Sequence, residues 1–110
     1  MKYACLVYLE EAKLHAVPDL ECMNCGDAFR KSGVMVAAEA LQPVTQAKTV
    51  RIRNGKMSIT DGPFTETKEQ LAGFYLLEAT NLDEAVAMAA KIPPAREGSI
   101  EIRPVRELEA

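Results

Sequence analysis

The stretch of residues 49–60 restricts the fold more than any other part of this chain. Two runs of alternating apolar and polar residues, 49–53 and 56–60, flank the dipeptide Asn54-Gly55. Asn and Gly both tolerate positive φ, which the tight turn of a two-residue hairpin requires. Alternation with a period of two places the apolar side chains of each run on one face. The stretch therefore predicts an antiparallel β-hairpin.

Further strands are predicted over residues 2–9, 34–41, 71–79 and 99–105, from their apolar and β-branched content. A first helix is expected from Pro18 to a stop at Gly33. A second is capped by Asn81 and ends before Pro93-Pro94. Thr67 and Gln70 fit a capping box, which predicts one short helical turn over residues 65–70. The expected apolar helix stripes are Cys22, Cys25, Phe29 and Ser32 in the first helix, and Leu82, Ala85, Val86, Ala89 and Ile92 in the second.

The order of these elements is strand, helix, strand, hairpin, strand, helix, strand. This is a βαβ-hairpin-βαβ pattern, which is typical of the ferredoxin-like α+β fold. Its antiparallel sheet carries two helices on one face. A length of 110 residues suits one domain, so we predict a single unit over residues 1–110.

Composition excludes several classes of protein. The formal net charge of −3 and a pI near 5.2 do not favour binding to nucleic acid or to an acidic membrane surface. No apolar stretch approaches the roughly 20 residues that span a bilayer. The N-terminal apolar run stops at Glu10-Glu11, too early for a signal peptide. Three cysteines, an odd number, fit reduced thiols and a cytoplasmic protein.

The sheet face that points away from the helices is predicted to be mixed in character. Glu101 and Arg103 would lie there if Ile100 and Ile102 face the helices, together with the arginines of the hairpin. Such a face is too polar for a dry core and too apolar to lie fully in water. A second copy packed against it resolves both problems, so we expect a homodimer with dimeric α+β barrel-type association. The aromatic residues expected on this face are Tyr3, Tyr8 and Tyr75.

An acidic loop, residues 61–69, contains the most unusual chemistry. It holds three acidic side chains and one cation, Lys68. Asp61 is the candidate general base, a role that requires burial to raise the pKa of its carboxyl group. The alternative is a tight turn in which Asp61 accepts backbone N–H bonds. Arg51, Arg53 and Arg103 either receive a carboxylate or phosphate ligand or form an ordinary ion-pair network with nearby acids. The predicted ligand-binding residues are Glu39, Arg51, Asp61, Tyr75 and Arg103.

Cys22 and Cys25 form a C-x-x-C pair, but this pair lies inside the predicted first helix. A redox motif would lie where a strand meets a helix N-terminus, and a zinc site needs about four ligands. Buried core thiols are the simpler interpretation. His15 lies in a predicted surface loop beside Lys13, where an exposed structural residue is expected. The sequence predicts neither a metal nor a cofactor.

The segment Asp61-Gly62-Pro63-Phe64, with the following residues 66–71 and Gly73-Phe74-Tyr75, resembles the DGPF branch of the YCII-related proteins. The resemblance extends over nearly the whole chain. It implies a ferredoxin-like, usually dimeric fold. Some YCII relatives are lyases that dechlorinate aromatic substrates, and some DGPF proteins are encoded beside extracytoplasmic-function sigma factors. A sigma factor is therefore a partner that the resemblance implies.

The resemblance implies, for the enzymatic relatives, a histidine on the first helix and an aspartate just after the second. In this chain His15 precedes the predicted helix, and residues 92–95 contain no aspartate. That acid–base pair is not carried over.

Two functions follow as hypotheses. The first is a dimeric protein that binds a small, anionic organic molecule in a cleft at the sheet face. Cofactor-free lyase or isomerase chemistry there would use Asp61 as base. The second is a noncatalytic regulatory or interaction module.

Overall fold

The elements follow one another as two βαβ units separated by a hairpin, as predicted. A computed structural model describes residues 1–109. The elements in chain order are β1 (Lys2–Leu9), α1 (Asp19–Lys31), β2 (Met35–Ala40), β3 (Lys48–Arg53), β4 (Lys56–Asp61), β5 (Gln70–Glu78), α2 (Leu82–Ala89) and β6 (Ser99–Pro104). Short 3-10 turns are Glu11–Lys13, Val44–Gln46 and Pro93–Arg96.

The main sheet has four antiparallel strands in the order β2-β5-β1-β6. Strands β3 and β4 pair only with each other, in a separate two-stranded sheet. Their turn uses Asn54 at φ 52° and Gly55 at φ 72°, the positive values that the dipeptide predicts. The predicted ferredoxin-like α+β fold is confirmed.

The core lies between one face of the main sheet and both helices. Alternate residues of β1 point into it, and so do Tyr75 and Leu77 of β5. Helix α1 contributes Phe29, whose ring meets Tyr75 edge to face with centroids 5.9 Å apart. The buried cluster consists of Cys5, Val7, Leu9, Phe29, Tyr75, Leu77, Ala89 and Ile92. Both helices therefore cover the same side of the sheet.

The predicted helical turn over residues 65–70 is wrong. This segment is an irregular loop, and Gln70 is already the first residue of β5. The Gln70 side-chain amide donates to the carbonyls of Thr65 and Thr67, at 3.1 and 3.3 Å. Thr67 and Gln70, which the sequence predicts to form a capping box, instead connect the loop to the start of β5 by a hydrogen bond.

Two helix stripes differ from expectation. Leu82 and Val86 of α2 are about half exposed, at 50% and 49%, because the residues that reach the core from this helix are Ala85, Met88 and Ala89, followed by Ile92. On α1, Cys25 packs against the core but Cys22 stays partly exposed, and Cys5 of β1 is the fully buried thiol. Burial raises the pKa of all three thiols, which keeps them protonated at neutral pH.

Within residues 1–109, no helix combines the length and apolar character needed to cross a bilayer.

Among the glycines of residues 1–109, Gly98 makes the closest backbone approach, and it gives a stability test. A Cβ at this position would lie 2.1 Å from the Tyr8 carbonyl oxygen, so Gly98→Ala must displace β6 from β1. We expect a loss of about 1–3 kcal/mol in the free energy of unfolding, as overpacking of a close contact costs. Urea denaturation followed by circular dichroism measures it.

Gly26→Ala is the matched control. Its Cβ would meet only the Met35 Cε, at 3.7 Å, an ordinary contact. Alanine is favoured over glycine inside a helix by up to about 1 kcal/mol, so this variant should be neutral or more stable. Equal losses in both variants would contradict the close approach at Gly98.

Arg96 anchors the last 3-10 turn to α1 and gives a pH test. Its guanidinium donates to both Glu21 carboxylate oxygens, at 3.1 and 2.6 Å, which lowers the pKa of Glu21. A depressed folded-state pKa stabilises the protein above the unfolded pKa of glutamate. That contribution is lost as the pH falls through the folded-state pKa.

In Arg96→Gln the pKa of Glu21 should rise towards its ordinary value in a carboxyl NMR titration. The stability gap between this variant and the parent should also shrink on acidification. Lys31→Gln, which removes an α1 cation with no ion pair within residues 1–109, should leave the Glu21 titration unchanged. An unaltered Glu21 pKa in Arg96→Gln would refute the assignment.

Candidate functional site

No helix or strand of residues 1–109 covers the sheet face opposite the helices, and we call this surface the open face. The strand register aligns its residues in rows, because directly opposed residues of antiparallel strands point to the same side. One row runs Glu101, Leu6, Phe74 and Glu39, and a second runs Arg103, Ala4, Leu76 and Ala37. Ile100 and Ile102 pack against the core instead, so the prediction that Glu101 and Arg103 point away from the helices is confirmed.

A cleft opens where the hairpin and the acidic loop meet one end of the open face. We call it the hairpin cleft, and its volume is about 1290 Å³. The residues on its walls that bear on function are Tyr8, Arg51, Arg53, Phe64, Glu69, Ser99 and Glu101. Cations from the hairpin thus face an aromatic and acidic wall from the sheet and loop.

Arg51 and Arg53 have no carboxylate partner within 4.0 Å among residues 1–109. Arg53 Nη1 donates only to the neighbouring Ile52 carbonyl, at 3.0 Å. Of the ion-pair network that the sequence leaves open, only Glu101 and Arg103 come together, at 4.0 Å. The two hairpin guanidiniums therefore keep most of their donors available to an anion.

Glu69 is the cleft carboxylate that the sequence did not single out. Ser99 Oγ donates to Glu69 Oε1 at 2.7 Å, and the residue is half-buried. This bond joins the loop before β5 to the first residue of β6, 30 positions away in sequence. The only local signal for this role is that Glu69 immediately precedes a strand. A residue at the start of a strand has a more fixed position than one in the middle of a loop.

Asp61 is the last residue of β4 and lies outside the lining of the hairpin cleft. Its carboxylate pairs with Lys48, and its side chain is 86% exposed. The neighbouring Gly62 fixes the base of the hairpin: its N–H donates to the Ala47 carbonyl at 2.8 Å, and its own carbonyl accepts from Thr49 Oγ1 at 2.9 Å. The turn is thus held by the Gly62 backbone, and within residues 1–109 no backbone N–H donates to the Asp61 carboxylate as the turn interpretation expected, while the catalytic role of Asp61 stays a prediction.

Tyr75 lies on the helix side of the sheet, away from the hairpin cleft. It is 8% exposed, its hydroxyl donates to the Cys22 carbonyl at 3.4 Å, and burial raises its pKa. Tyr3 is buried on that side as well, so the expectation that Tyr3, Tyr8 and Tyr75 share one face is wrong. Only Tyr8 lines the hairpin cleft.

A second groove, of about 810 Å³, lies between α1 and the edge strand β2. Glu39, Tyr75 and the exposed His15 border it, with a largely apolar floor. Arg103 borders neither hollow and is exposed on β6. One copy of the chain therefore does not bring the predicted set Glu39, Arg51, Asp61, Tyr75 and Arg103 into a single pocket.

Metal chemistry has no evident centre in the described chain. Across residues 1–109, no three side chains of His, Cys, Asp or Glu converge closely enough to hold an ion. The groups that the hairpin cleft does offer are guanidiniums, a hydroxyl, carboxylates and aromatic surface. Such a set can bind an anion by charge-assisted hydrogen bonds and hold its apolar part against Tyr8 and Phe64.

Comparison with known proteins agrees with this fold. The family model described as "YCII-related domain" matches residues 1–109. An uncharacterised protein of Rhizobium meliloti (strain 1021) is 36% identical over 116 residues, which covers 96% of this chain and 92% of the relative. The narrower DGPF branch stays a prediction. On these two matches, the chain belongs to the YCII-related family.

Proposed function

We propose that this protein binds a small organic anion in the hairpin cleft and works as a homodimer. The observation that carries the proposal is the pair of guanidiniums, Arg51 and Arg53, that line the cleft without a carboxylate partner among residues 1–109. Arginine offers a planar fork that matches a carboxylate or phosphate. Tyr8 and the exposed Phe64 supply apolar surface for the remainder of the ligand.

The open face supports the dimer. Its centre is apolar, with Leu6, Phe74 and Leu76 only half-buried in a single chain. Contiguous apolar surface of this kind marks interaction sites on folded proteins. A two-fold axis would let both copies bury this surface in one closed interface, and two-fold dimers are the commonest form of closed assembly.

Cofactor-free acid–base chemistry is the reaction class that this cleft would support. A carboxylate would take a proton from the carbon beside a ligand carbonyl, an arginine would stabilise the resulting oxyanion, and return of the proton elsewhere would complete an isomerisation. Glu69 lines the cleft in a single copy. Asp61, predicted as the base, lies outside that lining at the foot of the hairpin.

Removing a cleft arginine should weaken anion binding. In an NMR titration with benzoate, Arg51→Gln should raise Kd about tenfold or more, since a hydrogen bond to a charged group contributes about 1.5–3 kcal/mol. Added salt should weaken binding in the parent, because exposed charges are screened. Inorganic phosphate, run in parallel, shows whether charge alone suffices or an apolar body is needed.

Lys56→Gln is the control variant. It removes one positive charge from the same hairpin, at a position outside the cleft lining, and should change Kd less than twofold. Equal effects of Arg51→Gln and Lys56→Gln would reduce the result to general electrostatics and contradict a specific site. Absence of saturable binding of benzoate and phosphate to the parent would also contradict the proposal.

The two acidic candidates can be separated in the same titration. Glu69→Gln removes a negative charge from the cleft wall and should tighten binding of benzoate, because the carboxylate repels the anion. Asp61→Asn should leave Kd within twofold, since Asp61 is exposed and paired with Lys48. If Asp61→Asn alone caused a large loss of affinity for benzoate, Asp61 would belong to the binding site.

A noncatalytic interaction module is the second candidate function. The observation that favours it is the exposure of apolar side chains along the hairpin, including Val50 and Ile52. A sigma factor is the partner that family resemblance implies. Recovery of a sigma factor with the parent protein, and its loss on Ile52→Asp, would support this function; no stable association between the purified proteins would remove it.

A further inference from the structure

One face of the hairpin is apolar and is not covered by any other part of residues 1–109. The register pairs Val50 with Ile59 and Ile52 with Met57, so these four side chains share a face. Each is between 55% and 65% exposed, and none belongs to either buried cluster. The opposite face of the hairpin carries Arg51 and Arg53, which line the hairpin cleft; of the four apolar residues only Val50 also borders it.

A two-stranded hairpin that packs against nothing is marginally stable in water. In this chain every residue of β3 and β4 is exposed except Thr49, which is half-buried. The hairpin is nevertheless regular, with six consecutive residue pairs from Lys48↔Asp61 to Arg53↔Lys56. Its apolar face is therefore a surface that gains stability when another molecule covers it.

The distribution of charge selects the covering surface. Residues 48–61 contain four cations and one anion, a net charge of +3. The rest of the chain contains nine cations and fifteen anions, a net charge of −6. Contact between two hairpins would bring like charges together, whereas contact between a hairpin and the body of another copy joins opposite charges.

The open face offers the matching surface on that body. Its row of Glu101, Leu6, Phe74 and Glu39 has an apolar centre with a carboxylate at each end, and Arg103 of the next row lies 4.0 Å from Glu101. An apolar strip can lie on the centre of this row while the cations of the hairpin remain near its acidic ends. The long arginine side chains can reach around the hairpin edge and still present their charges to water or ligand.

We propose that the β3–β4 hairpin is an arm that lays its apolar face on the open face of a second copy of this chain. The partner holds the arm from its apolar side, and the arm presents Arg51 and Arg53 to the hairpin cleft from the other. The arm that carries the two arginines of the anion site is then held in place by the partner copy. This inference rests on the proposed homodimer and specifies which surfaces form it.

Cross-linking tests the contact directly. Protein carrying Ile52→Cys is mixed with differently tagged protein carrying Ala4→Cys, which lies on the open face, and treated with a short bis-maleimide. The arm predicts a cross-linked species that contains both tags. Ile52→Cys mixed with Ala87→Cys, on the exposed side of α2, should give no more product than the native cysteines do in the parent.

A dominant product from Ile52→Cys protein alone would show hairpin-to-hairpin contact and overturn the proposal. Equal cross-linking to Ala4→Cys and Ala87→Cys would overturn it as well.

Sedimentation equilibrium gives an independent readout. Ile52→Asp places a charge on the apolar face and should raise the dimer dissociation constant at least tenfold. Ser58→Asp adds the same charge to the other face of the same strand and should have a much smaller effect. Far-ultraviolet circular dichroism confirms that both variants keep the main sheet.

The outcomes separate the two proposals. A dimer that Ile52→Asp leaves intact overturns the arm, while the homodimer and its anion site stand. A parent protein that is monomeric throughout removes the dimer and the arm together.

Discussion

The alternation of side chains along β1 is the constraint on which the rest of the structure depends. This strand pairs with β5 on one side and β6 on the other, so its register sets the register of the sheet. Cys5, Val7 and Leu9 point into the helical core, while Leu6 and Tyr8 point to the open face. A slip by one residue would exchange these two sets and would lose both the core and the cleft at once.

Features set by local chemistry could be predicted from the sequence. The Asn54-Gly55 turn and the Asn81 cap, whose side chain accepts from the Glu84 N–H at 2.9 Å, each depend on a few neighbouring residues. The structure of residues 65–70 could not be predicted from neighbouring residues, because the pairing of Gln70 with β1 in the main sheet overrides a weak helical preference. The orientation of Tyr75 also depends on long-range register, which includes an irregularity between Val7 and Tyr8.

The candidate site shows the same division. Sequence reasoning identified the acidic loop and the hairpin arginines, since their composition is unusual, and Arg51 does line a cleft. It favoured Asp61 over Glu69 because nothing local reveals that Ser99 approaches the loop from β6. Glu39 and Tyr75 border a different groove, because Glu39 lies on the edge strand β2 and Tyr75 faces the helices from β5. Family membership fixes the fold of these residues and leaves their chemistry to experiment.

The separate pairing of β3 and β4 has an evolutionary consequence. The segment enters and leaves the main sheet between β2 and β5, and its own hydrogen-bond ladder is closed within itself. Insertions, deletions or exchange of this segment would therefore leave the core between the main sheet and the two helices untouched. Paralogues built on the same scaffold can acquire new specificities by altering one contiguous stretch of about a dozen codons, in the way that surface loops carry functional variation on rigid frameworks.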